Sequence, residues 1–293
     1  TSLSSQPVAF YGHHKCATTW VRGILAEVSR LTRRSMTTFD NLKQFNGNLA
    51  EYLAAHPHDM IAYTNADIEQ VRHLPRLQGV HLIRDPRDVV VSGYFSHLKS
   101  HPTDGWPDLL DHRKRLKALN QEDGLLAEIE FSGPTIDLMG TWDYAQADVL
   151  ELRYEDLIAD PYANLLRAGI HWGLVDERDL SAFDELRSLV NRVLFMLRRL
   201  SRNRVRLQWC IPSVPAASYL EILYRHRFER ITRGRQRGQE DSASHYRKGV
   251  AGDWKVHFTP KITARFEERF PCLLEKLGYE NFKPRISRIN TDL

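Results

Sequence analysis

Three short apolar runs, Pro7 to Tyr11, Gly79 to Ile83 and Val149 to Arg153, each give way to a helical pattern or a turn signal. Runs bounded in this way predict strands, and their alternation with helices predicts a parallel sheet. The first run leads into a helix over Val21 to Leu31. The second is sharply punctuated: Asp85 is placed to cap a helix, Pro86 suits its first position, and Asp88 falls near its positive end. Arg84 therefore belongs at the carboxyl end of a strand, the edge where open α/β sheets collect ligands.

Farther along, Leu186, Val190, Val193, Leu197 and Leu200 recur at helical spacing, with Arg187, Arg192, Arg198, Arg199 and Arg202 around them. This predicts a basic amphipathic helix over about 183–202. Such a helix packs on the domain core or on a second copy of the chain, or else makes weak contact with a membrane surface. The polar stretch Arg233 to His245 reads as a loop that could order on ligand binding.

Composition changes the picture only in part. With 293 residues and 42% hydrophobic content the chain can bury a full core, and one domain over 1–293 is expected. The formal charge is only +4, so any field that draws in anions must come from local clustering, as at Arg225, Arg227, Arg230, Arg233, Arg235 and Arg237. No nucleic-acid partner is expected. The cysteines at 16, 210 and 272 make no disulfide framework and no recognisable metal-site spacing, which predicts a reducing compartment. No apolar run approaches bilayer length and the start Thr-Ser-Leu-Ser-Ser has no signal-peptide character, so a soluble, cytoplasmic protein is expected.

Two cationic elements stand out, far apart in sequence. Gly12-His13-His14-Lys15-Cys16-Ala17-Thr18-Thr19-Trp20 follows the first strand and enters a helix. It offers an ammonium, two hydroxyls and free backbone N–H groups at a positive helix end, which suits a phosphate. It is not a Walker A loop, since the lysine precedes the threonines by three positions with Ala17 between. Read alone, Thr18 or Thr19 could merely cap the helix. The second element, Tyr246 to Lys255, reads Y-R-K-G-V-A-G-D-W-K and sets two cations before a glycine that frees the backbone to approach a ligand. Two such clamps point to a ligand with two phosphate groups.

Lys15 to Trp20 resembles the K-[ST]-G-T-T-W loop of sulfotransferases that use 3′-phosphoadenosine 5′-phosphosulfate (PAPS). Ile83 to Ser92, I-R-D-P-R-D-V-V-V-S, resembles that family's 3′-phosphate strand-loop-helix, and Tyr246 to Lys255 resembles its R-K-G-x-x-G-D-W-K segment. The resemblance implies a three-layer α/β/α fold with a central parallel sheet, related to P-loop nucleotide kinases. It implies that Lys15, Thr18 and Thr19 hold the 5′-phosphate, with Cys16 and Ala17 in the loop. Arg84, Ser92, Arg247, Lys248 and Gly249 would hold the 3′-phosphate, while Trp20, Tyr154 and Phe228 meet the adenine. The product would be adenosine 3′,5′-bisphosphate (PAP). No metal is required, because the transferred group carries less negative charge than a phosphoryl group. The sulfuryl group would pass by in-line displacement to a hydroxyl or an amine of a small molecule, lipid or glycan, with the segment at about 180–224 on the acceptor or dimer side. A homodimer remains open, since the family's dimer motif is only partly matched by Lys255, Thr259 and Pro260, with Ala264 at its glutamate position.

The departures from the pattern carry their own expectations. Ala17 replaces the usual glycine, which suits that backbone only if φ is negative there. Cys16 replaces the usual serine, and a thiol beside Lys15 at a helix N-terminus should have a lowered pKa and heightened reactivity. The histidine of the cytosolic members' K-T-H segment has become asparagine in Tyr63-Thr64-Asn65. Members acting on glycans or peptides place a glutamate about one helix after the phosphate loop, where this chain has Asp40. The resemblance thus implies Asp40 as the first choice of general base, followed by His97 and His14, with Lys15 placed to stabilise the leaving phosphate. Two rivals remain: a Mg²⁺-dependent kinase on the same fold, and a nucleotide-binding module without catalysis.

Overall fold

The computed structural model describes residues 6–176 and 213–280, together with the helical positions 186, 189, 190, 193, 194, 196 and 197 between them. Five parallel strands form one sheet in the order β2-β3-β1-β4-β5: β1 (Val8–Gly12), β2 (Met36–Phe39), β3 (Met60–Tyr63), β4 (Gln78–Ile83) and β5 (Val149–Arg153). The three strands expected from apolar runs are present. The sequence pattern missed β2 and β3, each of four residues.

Helices cover both faces of the sheet, as parallel strands buried on each side require. In chain order the first are α1 (Thr18–Thr32), α2 (Leu49–Ala55), α3 (Ile68–Val71), α4 (Pro86–Phe95), α5 (Pro107–Ala118), α6 (Gln121–Thr141), α7 (Tyr154–Ala159) and α8 (Pro161–His171). One core gathers Val8, Phe10, Val80 and Leu82 from the strands with Ile24, Leu25 and Val28 of α1 (Thr18–Thr32) and Leu165 of α8 (Pro161–His171). The helix Ala216–Arg225 buries Tyr219, Ile222 and Leu223 in that same core, packed against α1 and α8. A second core joins Val89, Val90 and Val91 of α4 (Pro86–Phe95) to Leu125, Ile129 and Ile136 of α6 (Gln121–Thr141) and to Ile262 and Phe266.

The sheet order makes β1 central, with β3 on one side and β4 on the other. The chain thus reverses its direction of progress across the sheet beside β1. Such a switch point opens a crevice at the carboxyl ends of the strands. Gly12 at the end of β1 lies opposite Leu82 near the end of β4, so the loops leading into α1 and α4 emerge side by side. Asp85 caps α4 as its sequence foretold, accepting from the backbone N–H of Arg87 with Pro86 in the first turn. Beyond Phe95 the helix widens into a π-helical turn, Ser96–Ser100, a local irregularity common near functional sites.

Positions 186, 189, 190, 193, 194, 196 and 197 are helical, and Leu186, Leu189, Val193, Met196 and Leu197 are exposed. The arginines that made this helix basic in sequence, together with Leu200, lie outside the described residues. Among the described residues no helix is long and apolar enough to cross a membrane.

Candidate functional site

A cavity of about 730 Å³ opens at the carboxyl edge of the sheet and brings the separated sequence motifs together. Lys15, Ala17, Thr18, Thr19 and Trp20 line it from the first loop. Arg84 and Ser92 enter from the second motif, Tyr154 follows β5, Phe228 lies on a short helix, and Arg247, Lys248 and Gly249 close the far wall. Asp40 and His14 line it as well. Of the sequence-expected site residues, only Cys16 and His97 do not reach the cavity wall.

The first loop holds its shape against its own sequence. Lys15 (φ 68°) and Ala17 (φ 57°) both adopt left-handed backbone. The expectation that Ala17 needs negative φ is thus corrected: the turn keeps its shape without glycine, at a cost of roughly 1–2 kcal/mol for a non-glycine residue. Backbone strain of this kind tends to collect where a ligand is held. Ala17 sits at the N-cap of α1 and supplies no side-chain cap to the helix. The positive end of a 15-residue helix accordingly faces the loop.

Cys16 departs from expectation in the opposite direction. Its thiol turns away from the cavity into the core formed by Ile83, Val89 and Val90 and is fully buried. Burial pushes its pKa up to about 12, overriding the charges of Arg84 and Lys15. A buried thiol of this kind is inert, so the reactive cysteine foreseen from the sequence is withdrawn.

Cations crowd the inner end of the cavity. Arg84 is almost fully buried, with its guanidinium 4.4 Å from the Tyr154 ring centre and its NH2 group donating to the Val250 carbonyl at 3.1 Å. Its Nε is buried without a partner among the described residues. Asp88 lies 3.8 Å from Arg84 and accepts from the backbone N–H groups of Gly252 (2.6 Å) and Trp254 (2.9 Å), which fastens the third motif to α4. Burial, then the charges of Arg84 and Arg247, lower the Lys15 pKa to about 7, with Glu128 acting in the opposite sense. Asp253 pairs with both Arg247 and Lys248. Burial would raise its pKa, yet bonds from His257, Arg247 and Lys248 hold it well below the usual carboxylate range.

Gly249 has a role that its motif alone does not reveal. Its φ is +66°, and a Cβ there would lie 2.5 Å from Cε2 of Phe228. The glycine lets the aromatic wall close over the loop. Gly249→Ala is expected to displace Phe228 and weaken binding of an adenine nucleotide about tenfold, as one lost stacking contact of 1–3 kcal/mol would. Calorimetric titration of the variant with PAP, beside its melting temperature, checks this.

The arginine cluster at 225–237 does not form one field. Arg225 pairs with Glu27 and Glu221, Arg227 and Arg230 lie over Tyr224, and Arg235 donates to the carbonyls of Tyr246 and Arg247. Of the six, only Arg237 lines the cavity, with its guanidinium 5.9 Å from the Trp20 ring centre.

The outer end of the cavity is lined by Asp40, Thr64, Asn65, His14, His101 and Trp106. Asp40 is half exposed, accepts from Thr64 Oγ1 at 2.6 Å and lies 3.5 Å from Arg22. Asn65, at the position of the family histidine, donates to the Asp40 carbonyl (2.8 Å) and accepts from the His14 N–H (3.0 Å). It thereby ties the strand end to the phosphate loop. His97 sits behind His14, between it and Glu128. Sequence reading passed over Glu128, His101, Trp106 and His245. The available signal was the pair His97 and His101, spaced one helical turn apart after the second motif.

No curated protein matches the chain by sequence. In three dimensions it is similar to mouse sulfotransferase SULT7A1, solved in complex with PAP, at 16% identity and a TM-score of 0.52 over 93% of this chain and 85% of that one. It is also similar to retinol dehydratase, solved with androsterone and inactive cofactor PAP, at 15% identity and a TM-score of 0.48 over 96% and 82% of the two chains. The first likeness is one of fold: a central parallel sheet flanked by helices. The family pattern described as "Sulfotransferase domain" matches residues 8–169, more than half of the chain. On that match, the chain belongs to the sulfotransferase domain family.

Proposed function

We propose that the protein transfers a sulfuryl group from PAPS to a hydroxyl carried by a small molecule, lipid or glycan. The observation that carries this reading is the convergence of four cations, Lys15, Arg84, Arg247 and Lys248, from three distant segments around one cavity with aromatic walls. The chemistry of the donor set fits a doubly phosphorylated adenosine. Among the described residues Arg84 has a buried Nε still lacking a partner, and Lys15 is held partly deprotonated by burial and like charge that an anion would offset.

In this reading Lys15, Thr18, Thr19 and the α1 N-terminus grip the 5′-phosphate side. Arg84, Ser92, Arg247, Lys248 and the Gly249 backbone grip the 3′-phosphate, and Trp20, Tyr154 and Phe228 bracket the adenine. When bound, PAPS supplies an activated sulfuryl group. The chain's own work is then to align that group with the acceptor and to stabilise charge growing on the leaving phosphate. Lys15 carries that second task. The four cations meet the phosphate charge directly, so the reaction is expected to run without added metal.

Incubation with ³⁵S-labelled PAPS and a panel of sugars, sterols, phenols and peptides tests the proposal. Labelled product formed in the presence of EDTA is the expected outcome. Phosphorylated product from ATP and Mg²⁺, with none from PAPS, contradicts it.

A further inference from the structure

Behind the outer end of the cavity runs a chain of three titratable side chains. His14 lines the cavity, and its Nε2 lies 3.0 Å from Nε2 of His97. His97 Nδ1 lies 2.9 Å from Oε1 of Glu128. Glu128 is fully buried and also accepts from His112 Nε2 (2.8 Å) and Ser132 Oγ (2.5 Å). Burial would raise the Glu128 pKa, yet the His97 charge and the bonds from His112, His97 and Ser132 hold it down at about 2.

As a carboxylate, Glu128 accepts all three of the bonds from His97, His112 and Ser132, and the proton positions follow from that geometry. An ionised carboxylate only accepts, so His97 Nδ1 must carry a hydrogen. In neutral His97, Nε2 is then bare and must accept, so His14 donates from its own Nε2–H. What remains is Nδ1 of His14, which has no hydrogen-bond partner among the described residues and is unprotonated.

We propose that His14 is the general base of sulfuryl transfer, with His97 and Glu128 as positioning residues that fix its tautomer and take up the proton it displaces. The proposal rests on the sulfotransfer reading above. In the step, the acceptor's O–H bond breaks and its proton passes to His14 Nδ1, while the oxygen's electron pair forms the new S–O bond. The S–O bond to the donor's 5′-phosphate breaks, and its electrons leave on the phosphate beside Lys15. The proton on His14 Nε2 moves to His97 Nε2, leaving an imidazolium beside the Glu128 carboxylate.

The surroundings favour His97 as the resting place of the proton. His14 is faced by Lys15, His97, His101 and His245, and burial followed by these charges pushes its own pKa well below the ordinary histidine value. His97 is faced by Glu128, His112 and His101, with Arg113 Nε donating to its carbonyl. Asp40, by contrast, is already engaged with Thr64 and Arg22.

A second chain of the same composition acts as an internal control. His13 Nε2 lies 2.8 Å from His81 Nε2, and His81 Nδ1 lies 2.6 Å from Glu151. Neither histidine lines the cavity, and burial raises the Glu151 pKa to about 8. That chain has no outlet to an acceptor and a carboxyl poorly suited to balance an imidazolium, whereas the His14 chain has both.

Long-range ¹H–¹⁵N spectra of the wild-type histidines at pH 8, assigned with H14Q and H97Q, test the tautomers without any acceptor. Hydrogen on Nδ1 of His97 and on Nε2 of His14 is expected. Hydrogen on Nδ1 of neutral His14 overturns the proposal. So does one equivalent of zinc in the purified protein by elemental analysis, because the His97, His112 and Glu128 ligand atoms lie within 4.8 Å of one another and a metal would claim His97 Nδ1.

Hydrolysis of PAPS supplies the kinetic arm, with water as the probe acceptor. His14→Ala is expected to slow it about 10²-fold, the lower end of general-base effects. Glu128→Gln removes the charge that favours the His97 imidazolium and should move the rising limb of the kcat–pH profile to lower pH, while Glu128→Asp keeps it in place. An unshifted limb in a folded Glu128→Gln protein overturns the proposal. If PAPS is not turned over at all, the sulfotransfer reading fails, and the tautomers still decide the relay.

Discussion

Lys15→Ala is expected to lower kcat for sulfuryl transfer by about 10²–10³, the loss that follows removal of one preorganised charge-stabilising donor. Lys15 combines a left-handed backbone with a side chain that reaches the cavity. Burial first, and then the charges of Arg84 and Arg247, act to lower its pKa. Its ammonium is therefore costly unless an anion is near, and growing charge on a leaving phosphate is such an anion. The interaction strengthens in the transition state, so the loss should fall on kcat more than on KM. Single-turnover measurements with saturating PAPS check this, and a Lys15→Ala enzyme of near-normal kcat would remove Lys15 from the chemistry.

Arg84→Ala should act on binding instead. Its guanidinium joins the three motifs: it donates toward the Lys15 carbonyl at 3.4 Å and to Val250 at 3.1 Å, pairs with Asp88 at 3.8 Å and covers Tyr154. In the proposed complex Arg84 also pairs with a phosphate, and truncating one partner of a buried charge pair across a binding interface costs about 2–5 kcal/mol. A loss of about 3 kcal/mol corresponds to roughly 100-fold in the Kd for PAP. Asp88 keeps its bonds to the N–H groups of Gly252 and Trp254, so the third motif should stay docked and the variant should fold. Calorimetric titration measures the affinity, and the melting temperature separates it from stability. An unchanged Kd would separate Arg84 from the nucleotide.

The parts of the fold that could be read in the sequence are those governed by local pattern. β1, β4 and β5 are apolar runs, and the Asp85-Pro86 start of α4 is a local capping signal. β2 and β3 escaped because four residues carry too little periodicity, and β2 is a half-buried edge strand with Thr37 and Thr38 at its centre. The residues that line the cavity from the three motifs were legible because each motif is contiguous, and only the fold was needed to bring the motifs together. The Glu128–His97–His14 chain was not, since its links span 31 and 83 residues and depend on α6 packing against the π-helical turn after α4. Cys16 misled for a related reason. Sequence set it beside Lys15, but Lys15 lines the cavity while the adjacent thiol is buried in the core.

Glycine and alanine in the two cavity-lining loops show how local strain and long-range packing trade places. Ala17 accepts a left-handed backbone that glycine would adopt freely, which leaves the α1 N-terminus presented to the cavity. Gly249 is needed both for its own left-handed turn and for the Phe228 ring pressed against it. Identical substitutions at these two places should therefore act differently. Ala17→Gly should relax the loop, whereas Gly249→Ala should open the adenine wall.

The two-clamp reading is tested most directly by titrating the purified protein with PAP at pH 8 and low ionic strength, in buffers of different ionisation enthalpy. With a pKa of about 7, Lys15 is mostly neutral at that pH, and a phosphate docked on it raises the pKa, so binding must draw in a proton. Saturable binding at one site with uptake of about one proton is the expected result. No heat of binding, or affinity no greater than for adenosine alone, would contradict it.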